Sequence, residues 1–151
     1  MNIYKLHSNP DELIGHTDRN FYFSDEAKEL ILQGKFDVIK NVVGDLDLTG
    51  TKITSLPDNL TVGGSLYLDS TQIASLPDNL TVGEDLYLDN TPITSLPDNL
   101  TVGEDLYLGG TKITSLPDNL TVSGNLYLRR TQYLDKNNLP SSLVVKGNII
   151  K

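Results

Sequence analysis

Apolar positions along this chain return with two periods, one inside the other. The inner period is two. Leu66 and Leu68 flank Tyr67, and the same triplet occurs as Leu86-Tyr87-Leu88, Leu106-Tyr107-Leu108 and Leu126-Tyr127-Leu128. Alternation of this kind predicts a strand with leucines inward and tyrosines outward. The outer period is 20 residues. SLPDNLTV occurs at 55–62, 75–82, 95–102 and 115–122, and LDL at 46–48 is a degenerate first copy of the triplet. Thr51, Thr71, Thr91, Thr111 and Thr131 form one further column, and Ile53, Ile73, Ile93 and Ile113 another, with Tyr133 in its last place.

A strand that recurs at a fixed interval must stack on its own copies to satisfy its backbone groups. One coil has too few apolar side chains to fold alone, whereas stacked coils bury each other's faces. Three columns complete the unit. Ser55-Leu56-Pro57-Asp58 fits an S-x-x-D capping signature and predicts one short helical or 3-10 turn per coil. Thr71 and its equivalents are expected to bond the backbone of the turn after the strand. Gly63-Gly64 is expected to give the sharp bend into it.

One unit reads L-x-L-x-x-T-x-I-x-x-L-P-x-x-L-x-V. Over roughly 110 residues it resembles the leucine-rich repeat, with Leu66, Leu68, Thr71 and Ile73 falling on the L-x-L-x-x-N-x-L segment. The short period and the LPxxL segment resemble the repeats of bacterial effector proteins. Threonine stands where that family has asparagine, and glycine, serine or valine where it has its first leucine. The resemblance implies a leucine-rich repeat solenoid with one parallel strand per coil and short helical turns on the convex side. It also implies that the concave strand face is the partner site.

The expected organisation is an N-terminal cap over 1–41 and a solenoid over 42–151, about five coils plus a terminal strand. Within the cap, SDEAKELILQGK (24–35) reads as a helix. Ser24 can cap it, Asp25 and Glu26 suit its first turn, Gly34 suits its end, and Ala27, Leu30 and Ile31 share one face. At the other end, Ile149 and Ile150 begin a sixth strand, with Lys146 and Lys151 placed to discourage edge pairing. A self-pairing edge would instead make a weak homodimer, so monomer and dimer both stay open.

Composition narrows the chemistry. The 151 residues include no cysteine and two histidines, and carry a formal charge of −8. Disulfides, thiolate metal sites and cysteine nucleophiles are excluded. An acidic chain is a poor counterion-releasing ligand for nucleic acid, so no direct nucleic-acid binding is expected. The start lacks a secretory pattern and no stretch reaches membrane-spanning length. A cytoplasmic protein without membrane contact is expected, with secretion without a cleaved signal left open. His7 and His16 have no metal-ligand spacing and read as ordinary cap residues. The acids recur with the repeat, whereas a catalytic carboxylate pair needs two different environments. No enzyme activity, metal or cofactor is expected.

The tyrosines remain. Tyr67, Tyr87, Tyr107 and Tyr127 should line one outward column, with rings about 4.8 Å apart. Ser65, Asp85, Asp105 and Asn125 flank it on one side; Asp69, Asp89, Gly109 and Arg129 flank it on the other. One reading is a ladder that holds coils together. The other is a recognition face, since tyrosine offers rigid contact area with a polar tip. Residues 61–120 hold nine acids and one base, Lys112, and the repeat sets them in register. Facing like charges destabilise, so the acidic columns favour recognition, although recent duplication explains them equally well. The last coil reverses sign with Arg129, Arg130 and Lys136.

The expected function is therefore a non-enzymatic inhibitor or adaptor. Its candidate site is Tyr67, Tyr87, Tyr107, Tyr127, Asp69, Asp85, Asp89, Asp105 and Arg129. The partner would be a protein with a basic surface, such as a nucleic-acid-handling protein, and a phage- or mobile-element-encoded origin is one concrete version. The alternative is a structural subunit that self-assembles through its C-terminal edge or tyrosine face; size against concentration separates the two. A surface- or ice-binding role, raised by the threonine columns, is set aside because Thr61 and its equivalents are placed in turns.

Overall fold

The computed structural model describes residues 21–131, 134 and 136–151. His7, His16 and Tyr133 lie outside the described residues. Strand β1 (Tyr22–Phe23) runs straight into helix α1 (Ser24–Leu32), and β2 (Asn41–Val43) follows. Each coil then contributes two short strands. The first reads Thr-Val: β4 (Thr61–Val62), β6 (Thr81–Val82), β8 (Thr101–Val102) and β10 (Thr121–Val122), with β12 (Val144–Val145) last. The second begins with β3 (Leu46–Asp47) and continues as β5 (Leu66–Tyr67), β7 (Leu86–Tyr87), β9 (Leu106–Tyr107), β11 (Leu126–Tyr127) and β13 (Ile149–Ile150).

Like strands stack on like, all parallel. Among the described residues they form a seven-stranded sheet, β1-β2-β4-β6-β8-β10-β12, and a six-stranded sheet, β13-β11-β9-β7-β5-β3. The protein is a repeat solenoid with an N-terminal helix. Register follows the sequence period residue for residue: Leu66 pairs Leu86, Leu86 pairs Leu106 and Leu106 pairs Leu126. The core is the stack of inward columns. Leu66, Leu68, Leu86, Leu88, Ile73, Ile93 and Ile113 are all fully buried.

The Thr-Val sheet is where the sequence reading needs revising. No helical turn forms at 55–58, 75–78, 95–98 or 115–118. Among the described residues, 3-10 turns occur only at Phe36–Val38 and Lys136–Asn138. The reason is Pro57. Its ring disfavours the helical region for the preceding Leu56. The segment runs extended instead, buries Leu56 and turns at Asp58-Asn59. Asn59 takes the left-handed conformation there, at φ 57°. After the turn, Thr61 and Val62 alternate out and in. Thr61, Thr81 and Thr101 therefore stand side by side on neighbouring strands, and Thr101 pairs Thr121. Their placement in turns was wrong.

Ser24 does not cap its helix. Phe23 occupies the N-cap position as the end of β1, and the Ser24 hydroxyl donates to the Val43 carbonyl at 3.2 Å, tying the helix to β2. The other end is as expected. Gly34 turns left-handed, its N–H donates to Ile31 O at 2.9 Å, and the Lys35 N–H donates to Leu30 O at 2.9 Å. This is the paired bonding of a glycine-terminated helix. Ala27, Leu30 and Ile31 are its buried residues.

Gly63 and Gly64 lie at the bend into the strand as expected, without a positive φ, and the glycine column also serves packing. A Cβ on Gly83 would sit 2.1 Å from the Gly63 carbonyl oxygen, and one on Gly103 would sit 1.9 Å from that of Gly83. The coils touch backbone to backbone at this column. The threonine column behaves as expected: Thr71 Oγ1 donates to Leu68 O at 2.7 Å, and Thr91 to Leu88 O at 2.7 Å.

Candidate functional site

The second sheet turns one face outward, and alternation puts three columns on it. The tyrosines form the middle one. Tyr67, Tyr87, Tyr107 and Tyr127 stack in series, with centroids 4.6, 4.4 and 4.4 Å apart and planes within 8°. Parallel in-register strands leave neighbouring rings about one strand spacing apart, so this stacking follows from the register. All four rings are half-buried. Faces point along the solenoid axis into one another.

The flanking acids hold the coils together. Asp85 Oδ1 accepts the Asp105 N–H at 2.9 Å, and Asp105 Oδ1 accepts the Asn125 N–H at 2.7 Å. Asn125 Oδ1 in turn accepts the Asn148 N–H at 2.9 Å. On the other flank, Asp69 Oδ1 accepts the Asp89 N–H at 2.7 Å and Asp89 Oδ1 accepts the Gly109 N–H at 2.6 Å. Charge-assisted bonds of this kind are the stronger sort. Reading these columns as bare repulsion was incomplete, because each acid has a donor in the next coil. The repulsion persists at Asp69. Burial raises the pKa of its carboxyl first, and the charges of Asp89 and Asp47 raise it further, against the lowering effect of the Asp89 amide.

The second oxygens of Asp85 and Asp105 reach the tyrosines. Tyr87 Oη donates to Asp85 Oδ2 at 3.1 Å and Tyr107 Oη donates to Asp105 Oδ2 at 3.3 Å. Burial pushes the Tyr87 phenol up to about 12, helped by this bond and by the Asp85 charge. Tyr107 is likewise pushed up, by burial first and then by Tyr87 and Asp105.

All nine candidate residues thus belong to one face. Asp69, Asp85, Asp89 and Asp105 are half-buried ladder members, and Arg129 stands exposed at the last coil. A shallow depression of about 360 Å³ opens there, lined by Asp89, Tyr107, Gly109, Tyr127 and Arg129. Gly109 was passed over in the sequence reading, although its signal was present: it breaks a column that reads Asp69, Asp89, Gly109, Arg129. Among the described residues no cluster of three or more acidic or histidine side chains is placed to hold a metal ion, and no helix is long and apolar enough to cross a membrane. The chain matches no protein-family model and no curated protein.

Proposed function

We propose that this solenoid is of the leucine-rich repeat type, close to the short repeats of bacterial effector proteins, and that it binds another protein through the tyrosine face as a non-enzymatic inhibitor or adaptor. The observation that carries this reading is the stacked row of four half-exposed rings, with Tyr87 and Tyr107 also held by carboxylates. Ordered side chains lose little further freedom on binding, which removes one of the costs of forming an interface. Tyrosine is also enriched at binding hot spots. Glu84 and Glu104 stand exposed beside the face and add to its acidity. The partner is therefore basic, such as a protein that handles nucleic acid, and the acids steer its approach. A cytoplasmic, phage- or mobile-element-encoded protein aimed at a host or defence protein is the concrete version.

The test is a pull-down comparing wild type with a Tyr87→Ala/Tyr107→Ala variant shown to be folded. A partner kept by wild type and lost by the variant supports the reading. Equal retention moves the site elsewhere.

The C-terminal end favours a second reading, self-assembly. Ile149 there is 41% exposed, whereas Leu126, its pairing partner in the preceding coil, is fully buried. A particle size that rises with concentration would support assembly through this end.

A further inference from the structure

Between the two most alike coils the repeat breaks at one place on the tyrosine face. GEDLYL stands unchanged at 83–88 and 103–108, yet the next residue is Asp89 in one coil and Gly109 in the other, and then Arg129. The missing side chain opens the depression between the carboxylate below and the guanidinium above. Arg129 could fold across Gly109 towards Asp89. It does not: its guanidinium has no ion-pair or hydrogen-bond partner among the described residues. Asp89 spends Oδ1 on the Gly109 amide and leaves Oδ2 open. The two charges stand two strand positions apart, roughly 9–10 Å between backbones. The wall beside them is the rings of Tyr107 and Tyr127, stacked on one another, while the Tyr107 hydroxyl is taken by Asp105 on the opposite flank.

We propose that this depression is the register-setting subsite of the face, and that it takes a base–acid pair of side chains from the partner, the base on Asp89 and the acid on Arg129. The proposal rests on the tyrosine face being a protein-binding surface. A lone cation would be repelled by Arg129 and a lone anion by Asp89; only a pair of opposite sign neutralises both. An extended partner places same-face side chains about 6.6–6.8 Å apart, and a helix places i,i+4 neighbours about 5–6 Å apart. Either fits once the length of Arg129 is counted. The inference adds an order to the partner's surface: base towards the inner coils, acid towards the last.

The test needs no known partner. A random peptide library is panned on the full chain, and enriched peptides are measured against three folded variants. Gly109→Asn fills the depression at constant charge. Gly109 has no positive φ, so asparagine meets no left-handed strain there; its Cβ would come within 3.0 Å of Asp89 Oδ1 and 3.2 Å of the Arg129 carbonyl oxygen, and both must give by a few tenths of an ångström. Arg129→Glu reverses one charge, and Tyr87→Ala tests the face itself. The expected peptides carry a base and an acid two to four positions apart. They weaken about tenfold or more on Gly109→Asn, the scale of one lost anchor. Panning on Arg129→Glu should select two bases instead. Peptides that lose affinity with Tyr87→Ala but bind Gly109→Asn as tightly as wild type would overturn the subsite and leave the face standing. Peptides indifferent to both variants, or no enrichment at all, would overturn both. Displacement by free amino acids would make the occupant a small zwitterion and overturn the proposal in its stated form.

Discussion

Tyr87 donates its hydroxyl to Asp85, two residues earlier in the chain, at 3.1 Å. The other oxygen of that carboxylate accepts the Asp105 amide of the next coil at 2.9 Å. One side chain therefore fastens the displayed ring and the stacked coil together. The tyrosine hydroxyl and the coil-to-coil bond share one carboxylate.

That coupling makes the face sensitive to alkali. Burial, then the bond to Asp85 and its charge, hold Tyr87 near 12 against an ordinary 10.0. Between those values the unfolded chain gives up a proton that the folded chain keeps. The resulting stabilisation is intact below about pH 10 and is lost as pH rises towards 12. The wild-type minus Tyr87→Phe difference in phenolate absorbance should show a midpoint near 12. In Asp85→Asn it should fall but stay above 10, since burial is the larger cause. A midpoint at the ordinary value in wild type would disprove the account.

Asp105 tests the ladder bond together with the Tyr107 hydroxyl that shares its carboxylate. Asp105→Ala leaves the Asn125 amide without its acceptor and should cost about 1–3 kcal/mol in chemical denaturation. Asp105→Asn keeps an acceptor oxygen, as Asn125 does for Asn148 at 2.9 Å, and should recover most of that loss. Equal destabilisation by both would mean that charge, and not the bond, matters at this position.

Arg130 occupies a strained place. The turn after each second-sheet strand needs a left-handed residue, and Gly50, Ser70, Asn90, Gly110 and Arg130 supply it in turn. Arginine at φ 60° lacks the freedom of glycine. Arg130→Gly should stabilise by about 1 kcal/mol, or roughly 2–4 °C in Tm for a chain of this size. Arg129→Gly, at a position without positive φ, should bring no gain. An unchanged or lower Tm for Arg130→Gly would mean that its side chain contributes more than the strain costs.

The outer face of the first sheet yields an expectation of its own. Thr61, Thr81, Thr101 and Thr121 form a single hydroxyl row, with Gly63, Gly83 and Gly103 beside it. The neighbouring asparagines bond one another, Asn79 to Asn59 at 3.0 Å and Asn99 to Asn79 at 3.4 Å. One row with its amides already engaged offers little to a lattice, so ice should grow in this protein's presence as it does in buffer. Faceted crystals that revert to ordinary growth with Thr81→Lys/Thr101→Lys would reassign this face.

The 20-residue period determined the solenoid, its register and the inward set. Every strand must pair with its own copy, and leucines on one side of a period-two run have only the interior to enter. The tyrosine column and the Thr71 turn bond were legible for the same reason. What the one-dimensional pattern left open was how each coil travels between strands. Leu60-Thr61-Val62 alternates as clearly as Leu66-Tyr67-Leu68, yet the S-x-x-D signature drew attention to a helix that Pro57 forbids. Ser24 had the right letter for a cap, but β1 already held that place. Tertiary structure alone decided the use of Asp85, Asp89 and Asp105. A repeating acid is repulsion on paper and an acceptor once the next coil's amide lies within 3 Å. The depression at Gly109 belongs to the same class. A missing side chain acquires shape only when stacking sets Asp89 below it and Arg129 above.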